Sequence, residues 1–230
     1  MLGFTLAEVL ITLVIIGVIA AITVPTLIIK HQKEQTVTRL KKAYSDLSNV
    51  IKYSEVSNGY ISTWDFTLTT ENFINKYLSS YIVLSKLSNE RYRQEVVYSN
   101  IKGEKFGSSG FSLFNETNHN RIWKLNSGST LLFDYTSMDI ENGYLVAIDI
   151  NGNQKPNKLG KDLFVFGIHK YKGLQPYRWN LNNGTPADVT RNSLLTRTAE
   201  PCCNKNCFVG YGCSALIMID GWQIKDDYPW

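Results

Sequence analysis

The chain has 230 residues, 43% of them hydrophobic and 19% charged, which excludes a disordered or low-complexity protein and calls for a real core. A formal net charge of +4, from 24 Lys and Arg against 20 Asp and Glu, is too mild to define a nucleic-acid binder, so nucleic acid is not an expected partner. The charges are placed unevenly, because none falls between Glu8 and Lys30. As a helix, Val9 to Ile29 spans roughly 32 Å, close to the hydrocarbon thickness of a bilayer. Three readings apply to such a segment: a cleaved secretory signal, a plain anchor, or a membrane helix with a second job. A secretory signal wants a basic start and a small-residue cleavage site after the apolar run, whereas here the polar punctuation, Gly3 to Glu8, precedes it. Glu8 is either an interfacial carboxylate facing headgroup water or a functional group, since a buried unpaired charge at a membrane helix is costly.

The stretch Gly3-Phe4-Thr5-Leu6-Ala7-Glu8-Val9-Leu10-Ile11, followed by an unbroken apolar run through Ala20, resembles the N-terminal signature of type IV pilins and type II secretion pseudopilins. In that family a membrane-embedded prepilin peptidase cuts after the Gly and methylates the new N-terminus. The resemblance implies cleavage between Gly3 and Phe4, N-methylation of Phe4, and an assembly role for Glu8. Pro25 matches a proline that kinks the helix in many pilins, as a Pro inside a helix does by removing a backbone donor. The implied organisation is a leader over 1–3, a transmembrane or filament-core helix over 4–29, and an amphipathic helix with an extracytoplasmic domain over 30–230. The family's leader is basic while Met1-Leu2-Gly3 is not, and Lys30, Lys33, Arg39, Lys41 and Lys42 crowd the other flank. Against the positive-inside rule, the expectation is a true start upstream of Met1.

Beyond Lys30, Val37, Leu40, Tyr44, Leu47 and Ile51 recur at spacings of three and four, the stripe of an amphipathic helix that the Asn58-Gly59 pair ends. A short helix is expected over Glu71 to Val83 behind a Thr69-Thr70 cap, and a loop at Gly107 to Gly110. Strands follow at Arg121 to Leu125, Ser129 to Tyr135, Tyr144 to Ile150 and Leu163 to Ile168, the first two joined by a hairpin at Asn126-Ser127-Gly128. The fold class expected is therefore α+β: a long N-terminal helix packed on a four-stranded antiparallel sheet, the pilin-like arrangement, with a disulfide-stapled C-terminal region.

Between the last two strands, Asp149, Asn151 and Asn153 alternate and Asp162 closes the loop. Calcium needs several converging oxygens, and pilin-like secretion subunits bind calcium in their sheet region, so these four residues are a candidate calcium site. The alternative is an ordinary Asn-Gly loop in which the Asp side chains cap backbone amides. Three lysines among the acids and the missing bidentate Glu favour the loop. Cys202, Cys203, Cys207 and Cys213 form two disulfides or a zinc knuckle; their spacing suits disulfides, hence an oxidising compartment, with Cys202 and Cys203 each bridged to Cys207 or Cys213. Ala215 to Ile219 is a further strand or a short helix, and the terminal Tyr228 and Trp230 are a subunit contact or a lid on the core.

No nucleophile elbow, phosphate-binding loop or Cys-His pair occurs, so no enzyme is expected. The resemblance implies a structural subunit of a type II secretion pseudopilus or a type IV pilus-like filament. Its partners would be other pilin-like subunits, the prepilin peptidase, the inner-membrane assembly platform and, before assembly, membrane lipid. The alternatives are a minor type IV pilin for adhesion or DNA uptake, and a membrane-anchored surface binding module that never polymerises.

Overall fold

The computed structural model describes residues 3, 5–81, 84–86, 96–105, 121–125, 127–134, 143–152, 154–177 and 189–230. The chain divides into two compact units, Met1–Gln35 and Thr36–Trp230. One helix, α1 (Leu6–Asn58), runs through 53 residues and contributes to both. In the first unit it is apolar, with a mean hydropathy of 2.6 over its most apolar window, and none of that window is buried. It is long and apolar enough to cross a membrane. Its hydroxyls are turned back onto their own backbone: Thr12 donates to the Val9 carbonyl at 2.9 Å, Thr23 to Ile19 at 2.9 Å and Thr26 to Thr23 at 2.8 Å. No threonine there needs water. The helix continues on both sides of Pro25.

In the second unit α1 buries Leu40, Ala43, Leu47, Val50, Ile51 and Ser54, the expected stripe widened by small and branched residues. Val37 and Tyr44 pack at its margin. The helix stops where Gly59 takes a φ of +78°, a left-handed C-terminal cap that an L side chain rarely adopts. A 3-10 turn (Ile61–Thr63) follows, then α2 (Thr70–Tyr77), whose N-cap Thr69 accepts from the Asn72 N–H. α2 is shorter than the pattern suggested, because the chain turns at Leu78 to Tyr81 through Ser79 and Ser80. Trp64 stacks on Tyr77 with ring centroids 4.4 Å apart, and Phe73 packs on Tyr144 at 4.1 Å, fixing α2 to the sheet.

The sheet is an antiparallel meander of six strands rather than four: β1 (Leu84–Lys86), β2 (Arg121–Leu125), β3 (Thr130–Asp134), β4 (Gly143–Asp149), β5 (Leu163–His169) and β6 (Gly173–Pro176), in that spatial order. The four expected strands form its centre. The added edges are three and four residues long, and β6 ends in proline, so neither carries an alternating run a sequence pattern reveals. Gly128, at a φ of +91°, makes the β2–β3 turn, closed by Leu125 N–H to the Ser129 carbonyl at 2.8 Å. The expected loop at 107–110 and residue Tyr135 lie outside the described residues.

Both faces of the sheet are covered. Tyr144, Val146, Ile148, Phe164, Phe166 and Ile168 point into the core shared with α1, α2 and the C-terminal region. Leu145, Ala147, Leu163 and Val165 point the other way, into a second core closed by Val96, Tyr98, Val209 and Tyr211. This explains why β4 is buried at every position.

The C-terminal region holds α3 (Arg191–Thr196), started by a Thr190–Ser193 capping box, and α4 (Cys213–Ile219). Ala215 to Ile219 is therefore helix. Arg191 bonds Asp220 and Asp227, each at 2.7 Å, and Lys225 bonds Asp220 at 2.7 Å, tying the tail to both helices. Tyr228 is buried and donates to the Gly160 carbonyl at 2.5 Å, and the Lys161 ammonium sits 5.1 Å from the Trp230 ring centroid. The terminal aromatics are a lid on the core.

Candidate functional site

Two places concentrate the chemistry read from the sequence. At the N-terminus, Gly3 is exposed, and a Cβ placed on it would meet nothing within 4 Å. Among the described residues no packing accounts for a glycine there. Phe4 lies outside the described residues. Thr5 and Glu8 form a capping box: Glu8 Oε2 accepts from the Thr5 N–H at 2.8 Å and from its hydroxyl at 2.7 Å, while Thr5 Oγ1 accepts from the Glu8 N–H at 3.3 Å. The sequence reading missed this, although Thr-x-x-Glu directly before an apolar run is its signature. The box satisfies two N–H groups that the first turn of a helix otherwise leaves open. It also fixes the Glu8 carboxylate at the tip of an apolar rod.

The second place is the β4–β5 loop. The structure brings together Asp149, Asn151 and Asp162; Asn153 lies outside the described residues. Asp149, at the end of β4, is fully buried. Its Oδ2 accepts from the Tyr98 hydroxyl at 2.8 Å and its Oδ1 from the Asn151 N–H at 3.1 Å. Burial pushes its carboxyl up to about 8; the Tyr98 bond opposes that rise and the neighbouring Asp162 charge adds to it. Asp162 accepts from the Asn157 N–H at 2.8 Å, the Lys158 N–H at 2.6 Å and the Asn151 Nδ2 at 3.2 Å. Burial raises its pKa also, against the pull of those main-chain bonds. Tyr98 comes from the segment that covers the second face and carried no signal in the sequence.

Calcium would require these oxygens to converge on one point with lone pairs free. Here the carboxylates accept from N–H and O–H donors, main-chain amides foremost. The carboxylate bonds are those of the capped-loop reading, and no step is routed through a cation. Two buried amide oxygens, Asn151 Oδ1 and Asn157 Oδ1, have no hydrogen-bond partner among the described residues. The loop's far end is pinned as well, since a Cβ on Gly160 would stand 2.9 Å from Cys213 Sγ.

The cysteines pair as Cys202–Cys207 and Cys203–Cys213, leaving no free thiol. The order left open by the sequence is thereby set, and the zinc-knuckle alternative is replaced, because all four sulfurs are consumed.

These features define an α+β protein with an apolar N-terminal helix, a meander covered on both faces and two C-terminal disulfides. The chain belongs to a family of unknown function, DUF6613, whose sequence profile matches residues 26–230. No curated protein and no solved structure matches the chain.

Proposed function

We propose that the chain is a pilin-like structural subunit, cut and N-methylated at Gly3-Phe4 and assembled through α1 into a type II secretion pseudopilus or a related type IV pilus-like filament. The observation that carries this reading is the continuous α1, apolar and uncovered over its first half, amphipathic and docked on the sheet over its second. A tethered module needs no continuous helix between anchor and domain and usually has a flexible linker. The capped Thr5–Glu8 tip and a Gly3 that packs on none of the described residues support processing at that point. The two disulfides support an extracytoplasmic domain on a single-pass inner-membrane protein. Its partners in this reading are other pilin-like subunits, the prepilin peptidase and the assembly platform, and its work is mechanical rather than catalytic.

Processing tests the assignment. Mass spectrometry of the mature chain is expected to show loss of Met1 to Gly3 and one added methyl on the Phe4 amine. An intact Met1-Leu2-Gly3 in assembled material contradicts the reading.

A further inference from the structure

The second half of α1 and the β5–β6 edge of the sheet enclose a groove of about 640 Å³, inside the roughly 300–1,000 Å³ range of ligand sites. Lys41, Ser48 and Lys52 lie along one face of the helix wall, and Lys172 and Gln175 belong to the sheet wall. Lys41 and Lys52 are three helical turns apart, about 16 Å along the axis. Among the described residues neither has a carboxylate partner. The acid in the groove, Glu55, is tied back by accepting from the Ile61 N–H at 2.9 Å. With Lys41, Lys52 and Lys172 against Glu55 the lining is net positive, and it suits an elongated anion with charges spaced along it.

Aromatic rings line it too. Tyr44 packs against Phe166 and Trp222 at centroid distances of 5.5 and 5.4 Å, and Trp222 and the exposed Tyr171 stand beside it. Apolar ring faces next to amide and hydroxyl groups suit a ligand that alternates C–H faces with hydroxyls. Addition of a peptide as a further strand on β6 is disfavoured. The Leu174 carbonyl already accepts from the Tyr44 hydroxyl at 3.3 Å, and Pro176 has no N–H to give. No arginine lines the groove, against the usual mix for single-stranded nucleic acid.

We propose that this groove binds a linear acidic oligosaccharide, its carboxylate or sulfate groups on Lys41, Lys52 and Lys172 and its ring faces on the aromatics. The site does not depend on whether the chain polymerises. The test uses the full chain in lipid nanodiscs, titrated with oligogalacturonate, chondroitin sulfate oligosaccharide, a neutral maltooligosaccharide of equal length, oligoglutamate and oligothymidylate. The two acidic oligosaccharides are expected to bind, less tightly as salt rises, and their relative strength tells carboxylate from sulfate recognition. The double variant Lys41→Glu, Lys52→Glu should lose at least about tenfold in affinity with its melting temperature unchanged, both side chains being exposed. Gln175 donates its Nε2 to the Lys172 carbonyl at 3.0 Å and offers its Oε1 to a ligand hydroxyl, so Gln175→Ala should weaken binding a few-fold with the salt dependence unchanged. Failure of both acidic oligosaccharides to bind overturns the proposal. So does equal binding of oligoglutamate, tighter binding of oligothymidylate, or an undiminished affinity in the double variant.

Discussion

Glu8 caps α1 through Thr5, and in the proposed filament it has a second job that its substitutions separate from the first. In the single chain its carboxylate accepts from the Thr5 N–H and hydroxyl and so closes the first turn of α1. In the proposed filament its charge faces the Phe4 amine of a neighbouring subunit, and an unpaired charge in that apolar setting costs several kcal/mol, so correct register is selected. Glu8→Gln keeps the capping geometry and loses the charge, whereas Glu8→Ala loses both. Both variants are expected to insert and be cleaved normally, and both should reduce the filament fraction at least about tenfold. If Glu8→Gln assembles like the wild type, capping is the residue's whole role. Asp149 gives a second prediction at this scale. The folded chain holds its proton up to about pH 8, while an unfolded Asp releases it near 4. Between those limits the native state binds more protons, so stability falls as pH rises; the contribution is complete below about pH 4 and lost through pH 8. The melting temperature of the protein should therefore decline from pH 5 to 8.5, and Asp149→Asn should flatten that decline. A chelator should move neither curve. A loss of stability on chelation that calcium restores would put a cation on the loop oxygens instead.

At the level of elements, the clearest parts of the sequence were those where one period dominates. The stripe from Val37 to Ile51 was legible because it recurs every three or four residues, and the strands from Arg121 to Ile168 because each is a short apolar run bounded by turn residues. The edges β1 and β6 were not, being too short to show a period. The second core was hidden for a different reason: β4 and β5 are apolar at nearly every position, which told of burial without naming the cover, and Val96, Tyr98, Val209 and Tyr211 arrive from irregular segments. At the carboxylate loop the sequence showed the acids but not their donors, because main-chain amides leave no mark on side-chain identity. The disulfides belong to this scale as well. Cys203–Cys213 anchors the chain before α4 to its first turn and closes a loop with a sequence separation of 10. Its removal by Cys203→Ala with Cys213→Ala should cost about 2–3 kcal/mol in denaturant unfolding. Thiol labelling of the unreduced, denatured wild type should find none; reactive thiols there would refute the pairing.

Taken whole, the molecule couples an uncovered apolar helix to a domain whose sheet is sealed on both sides. The first unit has no side-chain cover of its own, with Leu6 at 79% and Ile22 at 67% exposure, so it needs lipid or other helices around it. Among the described residues of the domain the exposed large apolar side chains are scattered ones such as Val56 and Phe208, and the terminal Tyr228 and Trp230, which the sequence left open as a subunit contact, pack on the core. Assembly in this account therefore falls to α1. A photo-activated cross-linker placed at Ile15, on the uncovered helix, tests that directly in membranes and in the filament fraction of producing cells. The account predicts adducts to the apolar N-terminal helices of pilin-like subunits, identified by mass spectrometry of the joined peptides, and their reduction by Glu8→Ala. Adducts to lipid alone, in both fractions, would contradict it.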